Sequence, residues 1–184
     1  IDYDALAETA AQFKPKMLVA GASSYPRLID YERMSQIAES VGALLFVDMA
    51  HIAGLVAAKL IPSPIPYADF VSFTTFKTMM GGRGGVILCK KEYASAVDKA
   101  VFPGTQGTTA VSNIAGKATI AKLAQEAPFI AVQRQTLAHA KLLAAELAQK
   151  GYRLVGGGTD THQVVVDVTS KGLSGSQAEQ TLES

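Results

Sequence analysis

Four short apolar runs that alternate with helical patterns restrict the fold of this chain more than any other feature. Runs of this kind are typical of strands buried on both faces, because a strand with one solvated face alternates apolar and polar residues instead. The pattern therefore predicts an α/β protein whose parallel or mixed sheet is sandwiched between helices. The runs are MLVAG (17–21), LLFVDM (44–49), FVSFTT (70–75) and GVILCK (85–90).

The segments between and after these runs carry helix and turn signals. Asp30 is placed to cap a helix that stops at Gly42, and further helical patterns cover 112–126 and 129–150. The glycine-rich stretch Gly81–Gly85 is too short for a helical crossover. It therefore predicts that the third and fourth runs form an antiparallel pair.

The character of the chain changes after Gly151, where YRLVGGGTD leads into HQVVVDV (162–168), a predicted strand, and GLSGSQAEQTLE predicts another helix. We therefore predict that residues 1–151 belong to a large domain and that residues 152–184 begin a smaller α+β domain. Because the chain starts and stops inside predicted elements, we expect it to be a piece of a longer chain.

Composition excludes several classes of protein. The 184 residues are 48% hydrophobic and carry a net charge of +1, which offers no electrostatic footprint for nucleic acid or an anionic membrane. No apolar run approaches the ~20 residues that span a bilayer. The single cysteine, Cys89, excludes an internal disulfide framework and a cysteine-built zinc site. We expect no metal, no membrane and no nucleic acid, and we predict a cytoplasmic protein.

Reactive side chains follow three of the predicted strands. In α/β sheets, ligands gather at the carboxyl ends of the strands, so parallel neighbours would bring these groups to one cleft. They are Ser23, Ser24 and Tyr25 after the first run, Asp48 and His51 after the second, and Lys77 after the third.

A lysine in such a cleft has a specific chemical use, since its amine can form a Schiff base with an aldehyde. Pyridoxal phosphate needs that lysine together with an acid group facing its ring nitrogen. Lys77 and Asp48 are the candidates for these roles. Thr74, Thr75 and Thr78 can hydrogen-bond the cofactor or orient the lysine, and the glycine loop carries Arg83 beside the site.

Simpler interpretations compete with each of these. Lys77 could be a solvated loop residue, Asp48 could cap a helix that begins near Ala50, and His51 could be an ordinary half-buried histidine. The VAGASS turn is similar to a dinucleotide-binding turn, although it lacks the G-x-G-x-x-G spacing and Pro26 interrupts the helix that should follow.

Several longer stretches carry a family resemblance. They are KPKMLVAGASSYPR (14–27), VDMAHIAGLVAA (47–58), SFTTFKT (72–78), GGRGGVIL (81–88), VFPGTQG (101–107), IAGKA (114–118) and GGTDTHQVVVDV (157–168). The chain resembles the central portion of serine hydroxymethyltransferase, also called glycine hydroxymethyltransferase. The resemblance implies a fold-type I pyridoxal phosphate transferase: most of the large domain's second half, followed by the entry to the small domain.

The resemblance also implies roles for individual residues. It makes Lys77 the Schiff-base lysine, Asp48 the partner of the pyridine nitrogen, and His51 a neighbour of the cofactor's phenolic oxygen and of the substrate. It places Ser23 beside the same oxygen, Thr74 in the lysine's pocket and Arg83 in an active-site loop. Gly107 and Thr108 fall where a glycine-rich loop reaches the cofactor phosphate of a neighbouring subunit, which implies a homodimer or a dimer of dimers.

The implied reaction interconverts serine and glycine with tetrahydrofolate as the one-carbon acceptor. Phe76 departs from the family, which usually has histidine before the lysine, and MMGGRGG (79–85) departs from the usual loop. A phenylalanine neither donates a hydrogen bond nor carries a proton. Two alternatives therefore stay open: a folate-independent aldolase or transaldolase that acts on a β-hydroxy amino acid, and a catalytically silent piece of chain.

Overall fold

The computed structural model describes residues 1–108 and 110–183. They divide into two compact units, the first formed by residues 1–23 and 29–130, the second by residues 24–28 and 131–184. The predicted division into a large domain to residue 151 and a small domain from residue 152 stays a prediction. Within the described residues, no helix has both the length and the apolar character needed to cross a membrane.

The first unit is built on a four-stranded mixed sheet whose strands lie side by side in the order of the sequence. The first three strands are parallel and the fourth is antiparallel to the third. The predicted fold class and the antiparallel connection are therefore confirmed. The strands are β1 (Met17–Gly21), β2 (Leu44–Asp48), β3 (Phe70–Thr74) and β4 (Gly85–Cys89).

Helices connect the strands and continue after them. The second helix, Tyr31–Ser40, begins as predicted, because the Asp30 side chain accepts a hydrogen bond from the Arg33 N–H at 3.0 Å. The chain leaves this helix at Gly42, whose φ of +69° is the left-handed conformation that glycine favours at a helix end. The helices are α1 (Tyr3–Phe13), α2 (Tyr31–Ser40), α3 (Ala53–Ala57), α4 (Ala94–Lys99), α5 (Val111–Leu123), α6 (Ala127–Gln149) and α7 (Gly175–Glu183).

One face of the sheet carries the hydrophobic core. Leu45 and Val47 are completely buried there, and each such side chain stabilises the fold by about 1.5–3 kcal/mol. The strands contribute alternate residues to this core, and the helices contribute Met34, Ile37 and Ala53, among others. The core thus fixes the register that places the ends of β1, β2 and β3 side by side.

The opposite face of the sheet differs from the prediction that both faces are buried. Val19 is 68% exposed and Ile87 is 48% exposed, although both lie within apolar runs. Apolar side chains on both faces of a strand permit both faces to be buried. Burial also requires another element packed against each face. In the described residues, helices cover one face of β1 and leave the other open.

The second unit contains most of α6, helix α7, and a two-stranded antiparallel sheet of Arg153–Leu154 (β5) and Val166–Asp167 (β6). The strand predicted over 162–168 is therefore reduced to two residues. At its start, the Gln163 N–H donates to the Thr161 hydroxyl at 3.2 Å. This local side-chain bond satisfies a backbone donor that a longer strand would use for pairing.

Candidate active site

A cavity of about 350 Å³ opens where β1 and β2 end and the chain leaves β3. Its volume is in the range typical of small-molecule sites. Four of the candidate residues line it: Ser23, Asp48, His51 and Lys77. They come together because parallel pairing aligns the strand ends, with Gly21 opposite Asp48 and Asp48 opposite Ser72.

Asp48 is the last residue of β2, and one carboxylate oxygen accepts a hydrogen bond from the Ala50 N–H at 2.9 Å. Helix α3 begins only at Ala53 and has no side-chain cap, so Asp48 closes a local turn rather than capping that helix. This bond holds the carboxylate at the cavity. The alternative that Asp48 caps a helix beginning near Ala50 is therefore wrong, since α3 begins at Ala53.

Gly21 is a requirement of this arrangement that the sequence pattern did not reveal. Its φ is +139°, and a Cβ atom at this position would lie 2.3 Å from the Asp48 carbonyl oxygen. Only glycine permits so close an approach between the ends of β1 and β2. The glycine that ends the MLVAG run was the available signal, but a strand-terminal glycine alone does not predict which backbone it touches.

The electrostatics of the cavity favour a neutral His51. Burial and the nearby positive charge of Lys77 lower the pKa of this imidazole below its ordinary value of 6.5, and the Asp48 carboxylate opposes that shift. At neutral pH the ring is therefore uncharged and can accept a proton. The Lys77 ammonium and the Asp48 carboxylate thus both lie close enough to act on the charge of this imidazole.

Thr78, the residue after Lys77, fastens the lysine segment to the turn that carries His51. Its hydroxyl donates to the His51 carbonyl at 2.8 Å and accepts a hydrogen bond from the Gly54 N–H at 3.0 Å. Thr78 was expected to hydrogen-bond the cofactor or orient the lysine. The structure shows that this hydroxyl joins two segments that are distant in sequence, and its effect on the orientation of the lysine stays a prediction.

Thr75 has a different role from the one expected, because its side chain is buried in the glycine loop. The hydroxyl contacts the carbonyl oxygens of Gly82 at 2.5 Å and Gly84 at 3.2 Å. The loop thus folds around this hydroxyl, and Thr75 does not line the cavity.

At the tip of the loop, the Arg83 guanidinium lies 4.7 Å from the centre of the Phe76 ring, a cation–π contact.

The remaining candidates lie outside the first cavity. Thr74 lines a neighbouring cavity of about 880 Å³, which shares Asp48 with the first. The Thr74 hydroxyl oxygen is buried and has no hydrogen-bond partner within the described part of the chain. Gly107 and Thr108 follow the segment 101–106 and do not line either of these two cavities. Ser24, Tyr25 and Arg83 also lie outside the lining of both.

A comparison with models of protein families matches residues 1–184, the whole of this sequence, to serine hydroxymethyltransferase. The chain belongs to the serine hydroxymethyltransferase family. The family is one of fold-type I pyridoxal phosphate-dependent transferases, which agrees with the mixed, mostly parallel sheet of the first unit. The resemblance found in the sequence is therefore confirmed.

The cavity of this serine hydroxymethyltransferase family member fits the cofactor of its family in three respects. An amine and a carboxylate, those of Lys77 and Asp48, line the same space. The buried Thr74 hydroxyl lies in the neighbouring cavity that Asp48 also lines, it lacks a partner among the described residues, and a polar ligand would satisfy it. The volume of about 350 Å³ is sufficient for a single aromatic ring with substituents.

Proposed function

We propose that this chain carries the lysine and aspartate of a pyridoxal phosphate site that interconverts serine and glycine, with tetrahydrofolate as the one-carbon acceptor. The observation that carries the proposal is the lining of one cavity by Lys77 and Asp48 together. Membership of the family supports the cofactor and the general class of reaction. The amino-acid substrate, the use of folate, the homodimer or dimer of dimers, and the cytoplasmic location are parts of the proposal.

When bound, pyridoxal phosphate supplies an electron sink for bonds at the amino-acid α-carbon. Lys77 provides the amine that holds the cofactor. Asp48 holds a proton on the ring nitrogen, and its bond from the Ala50 N–H keeps one carboxylate oxygen in place. Replacing Asp48 with Asn would preserve the shape of the side chain and remove its charge, so it should reduce turnover more than stability.

His51 is suited to accept a proton at its ring nitrogen, because its lowered pKa leaves the imidazole neutral at pH 7. Ser23 lines the same cavity and supplies a hydroxyl at the end of β1. Thr78 fixes the turn of His51 relative to Lys77 and acts as a positioning residue. Thr74 offers its buried hydroxyl to a polar group of the ligand.

A second candidate is a folate-independent aldolase or transaldolase that acts on a β-hydroxy amino acid. Phe76 favours it, because the residue beside the lysine has no proton to give and instead carries the Arg83 guanidinium on its ring. Assays with serine and with β-hydroxy amino acids, each with and without tetrahydrofolate, separate the two. Serine cleavage that requires tetrahydrofolate supports the hydroxymethyltransferase, and equal rates without it support the aldolase.

The site itself is tested without turnover. The chain is incubated with pyridoxal phosphate, reduced with borohydride and digested, and the modified peptide is identified by mass. We expect the cofactor's mass on the peptide that contains Lys77. Lys77→Gln should abolish this label, whereas Lys122→Gln, at a lysine whose side chain is 74% exposed, should leave it unchanged.

Labelling that is spread equally over exposed lysines, or that persists in Lys77→Gln, would refute the assignment of the cofactor lysine. Labelling at Lys77 together with no turnover would support the cofactor site, and would identify the chain by itself as the catalytically silent alternative.

A further inference from the structure

A second cavity, of about 260 Å³, lies within the second unit, between helix α6 and the glycine-rich loop that follows β5. It is independent of the lysine site, since residues of the second unit line it throughout. Its floor is apolar and comprises Ala144, Ala145 and Ala148 of α6. Two cationic residues, Arg27 and Lys141, also line it.

The cavity exists because one face of α6 carries small side chains. Residues three and four positions apart share a helix face, so Lys141, Ala144, Ala145 and Ala148 lie along one side. The alanine methyl groups fill little of the space between the helix and the loop. A compact apolar group of a ligand would therefore contact three methyl groups, with Lys141 one helical turn away along α6.

Arg27 is held at the same cavity by two hydrogen bonds. Its Nε donates to the Gly156 carbonyl at 2.8 Å and its Nη1 donates to Asp160 Oδ1 at 3.0 Å. Gly158 passes so close that a Cβ atom there would lie 3.1 Å from Arg27 Nη2. The φ of Gly158 is +149°, a conformation that favours glycine at this point of the loop. No acceptor among the described residues engages Nη2, which leaves donors for a ligand.

The charges of the cavity are only partly compensated. Asp160 pairs with Arg27, whereas Lys141 forms no ion pair or hydrogen bond with any other described residue. A positively charged rim above an apolar floor is complementary to a negatively charged group with a short hydrocarbon part. We propose that this cavity is a binding site for a small carboxylate with a short apolar chain, held by Arg27 and Lys141.

The test is an NMR titration of the 184-residue chain with sodium butyrate at low salt, followed through the backbone amide signals of Ala145, Gly157 and Gly158. We expect saturable shifts with a dissociation constant of about 1–10 mM, since the ligand is small and the site is open. Butyramide, which has the same shape and no charge, should bind at least about fivefold more weakly. Inorganic phosphate should also bind more weakly, because it gains nothing from the apolar floor.

Two variants test the lining without touching Arg27. Lys141→Gln should weaken butyrate binding about fivefold. Ala148→Leu should also weaken it, because the larger side chain fills the floor of the cavity, and leucine is a good helix former that should preserve α6. Lys150→Gln, which removes a lysine outside the cavity, is the matched control and should change the dissociation constant less than twofold. No saturable shift by 50 mM butyrate, equal binding by Lys141→Gln, or phosphate binding as tightly as butyrate would overturn the proposal.

Discussion

The Thr78 hydroxyl donates a hydrogen bond to the His51 carbonyl at 2.8 Å, which joins the residue after Lys77 to the turn that follows β2. The same hydroxyl accepts the Gly54 N–H, so it is engaged on both sides. The distance between the candidate lysine and the candidate histidine thus depends on a side chain that itself does not line the cavity.

Thr78→Val should loosen this connection while preserving the shape of the side chain. The buried Gly54 N–H would lose its acceptor, so we expect the free energy of unfolding to fall by about 1–3 kcal/mol in urea denaturation. The pKa of His51, measured by NMR, should rise toward 6.5 as its turn moves away from Lys77. Thr78→Ser keeps the hydroxyl and should resemble the wild type. Unchanged stability and pKa in Thr78→Val would contradict this role.

The charges around His51 predict opposite shifts for two variants. Lys77→Met removes a positive charge that disfavours the imidazolium, so the pKa of His51 should rise. Asp48→Asn removes a negative charge that favours the imidazolium, so the pKa should fall further below 6.5. Histidine NMR titrations of the chain without cofactor measure both. Shifts in the same direction would show that the three groups do not share one site.

The lowered pKa of His51 also predicts how stability depends on pH. Below pH 6.5 the unfolded chain binds a proton at His51 more readily than the folded chain does. The contribution of this group to stability is therefore present above pH 6.5 and is lost as the pH falls toward the folded-state pKa. Urea denaturation at pH 7.5 and pH 5.5 should show a smaller acid loss for His51→Gln than for the wild type, and equal losses would contradict the shift.

Gly21→Ala should be among the most disruptive single substitutions at the site. Its Cβ would lie 2.3 Å from the Asp48 carbonyl oxygen, and the φ of +139° disfavours any side chain. We expect a loss of about 2–4 kcal/mol in the free energy of unfolding, together with weaker cofactor labelling of Lys77. Gly42→Ala is the control, since its φ is +69° but nothing lies within 4 Å of the new atom. Equal losses in the two variants would exclude the close contact as the cause.

Tyr31 predicts a loss of stability at alkaline pH. Burial, with a smaller contribution from Tyr3, raises the pKa of Tyr31 to about 12. Between pH 10 and pH 12 the unfolded chain ionises this group and the folded chain does not, so the free energy of unfolding falls by up to about 3 kcal/mol. Denaturation at pH 9 and pH 11.5 should show a smaller alkaline loss for Tyr31→Phe. The same loss in both proteins would refute the raised pKa.

The sheet and the candidate residues at its strand ends could be predicted because they depend on patterns that are local in sequence. Apolar runs locate the strands, and Asp30 and Gly42 delimit α2, since capping and left-handed glycine act within a few residues. Once β1, β2 and β3 are parallel, Ser23, Asp48 and Lys77 must meet at one edge. This prediction required only the order of the strands in the sheet. Consecutive strands joined by short connections tend to lie side by side.

The contacts that fix the site geometry could not be predicted, because they join segments that are distant in sequence. The Thr78–His51 bond, the approach of Gly21 to Asp48 and the burial of the Thr75 hydroxyl in its loop depend on the exact placement of backbone atoms. The exposure of Val19 was missed for a related reason: a residue's apolar character does not specify which element will cover it. Thr75 was expected to hydrogen-bond the cofactor or orient the lysine, whereas the structure places its hydroxyl against the carbonyl oxygens of its own loop.

The row of sheet pairing that runs from Gly21 through Asp48 to Ser72 has a consequence for folding kinetics. Three separate stretches of chain must be in register before the carboxylate and the amine share one cavity, and such non-local pairing is slow compared with helix formation. The change in absorption when added pyridoxal phosphate joins Lys77 during refolding would therefore time the assembly of the parallel strands, and helix formation, followed by circular dichroism, should precede it.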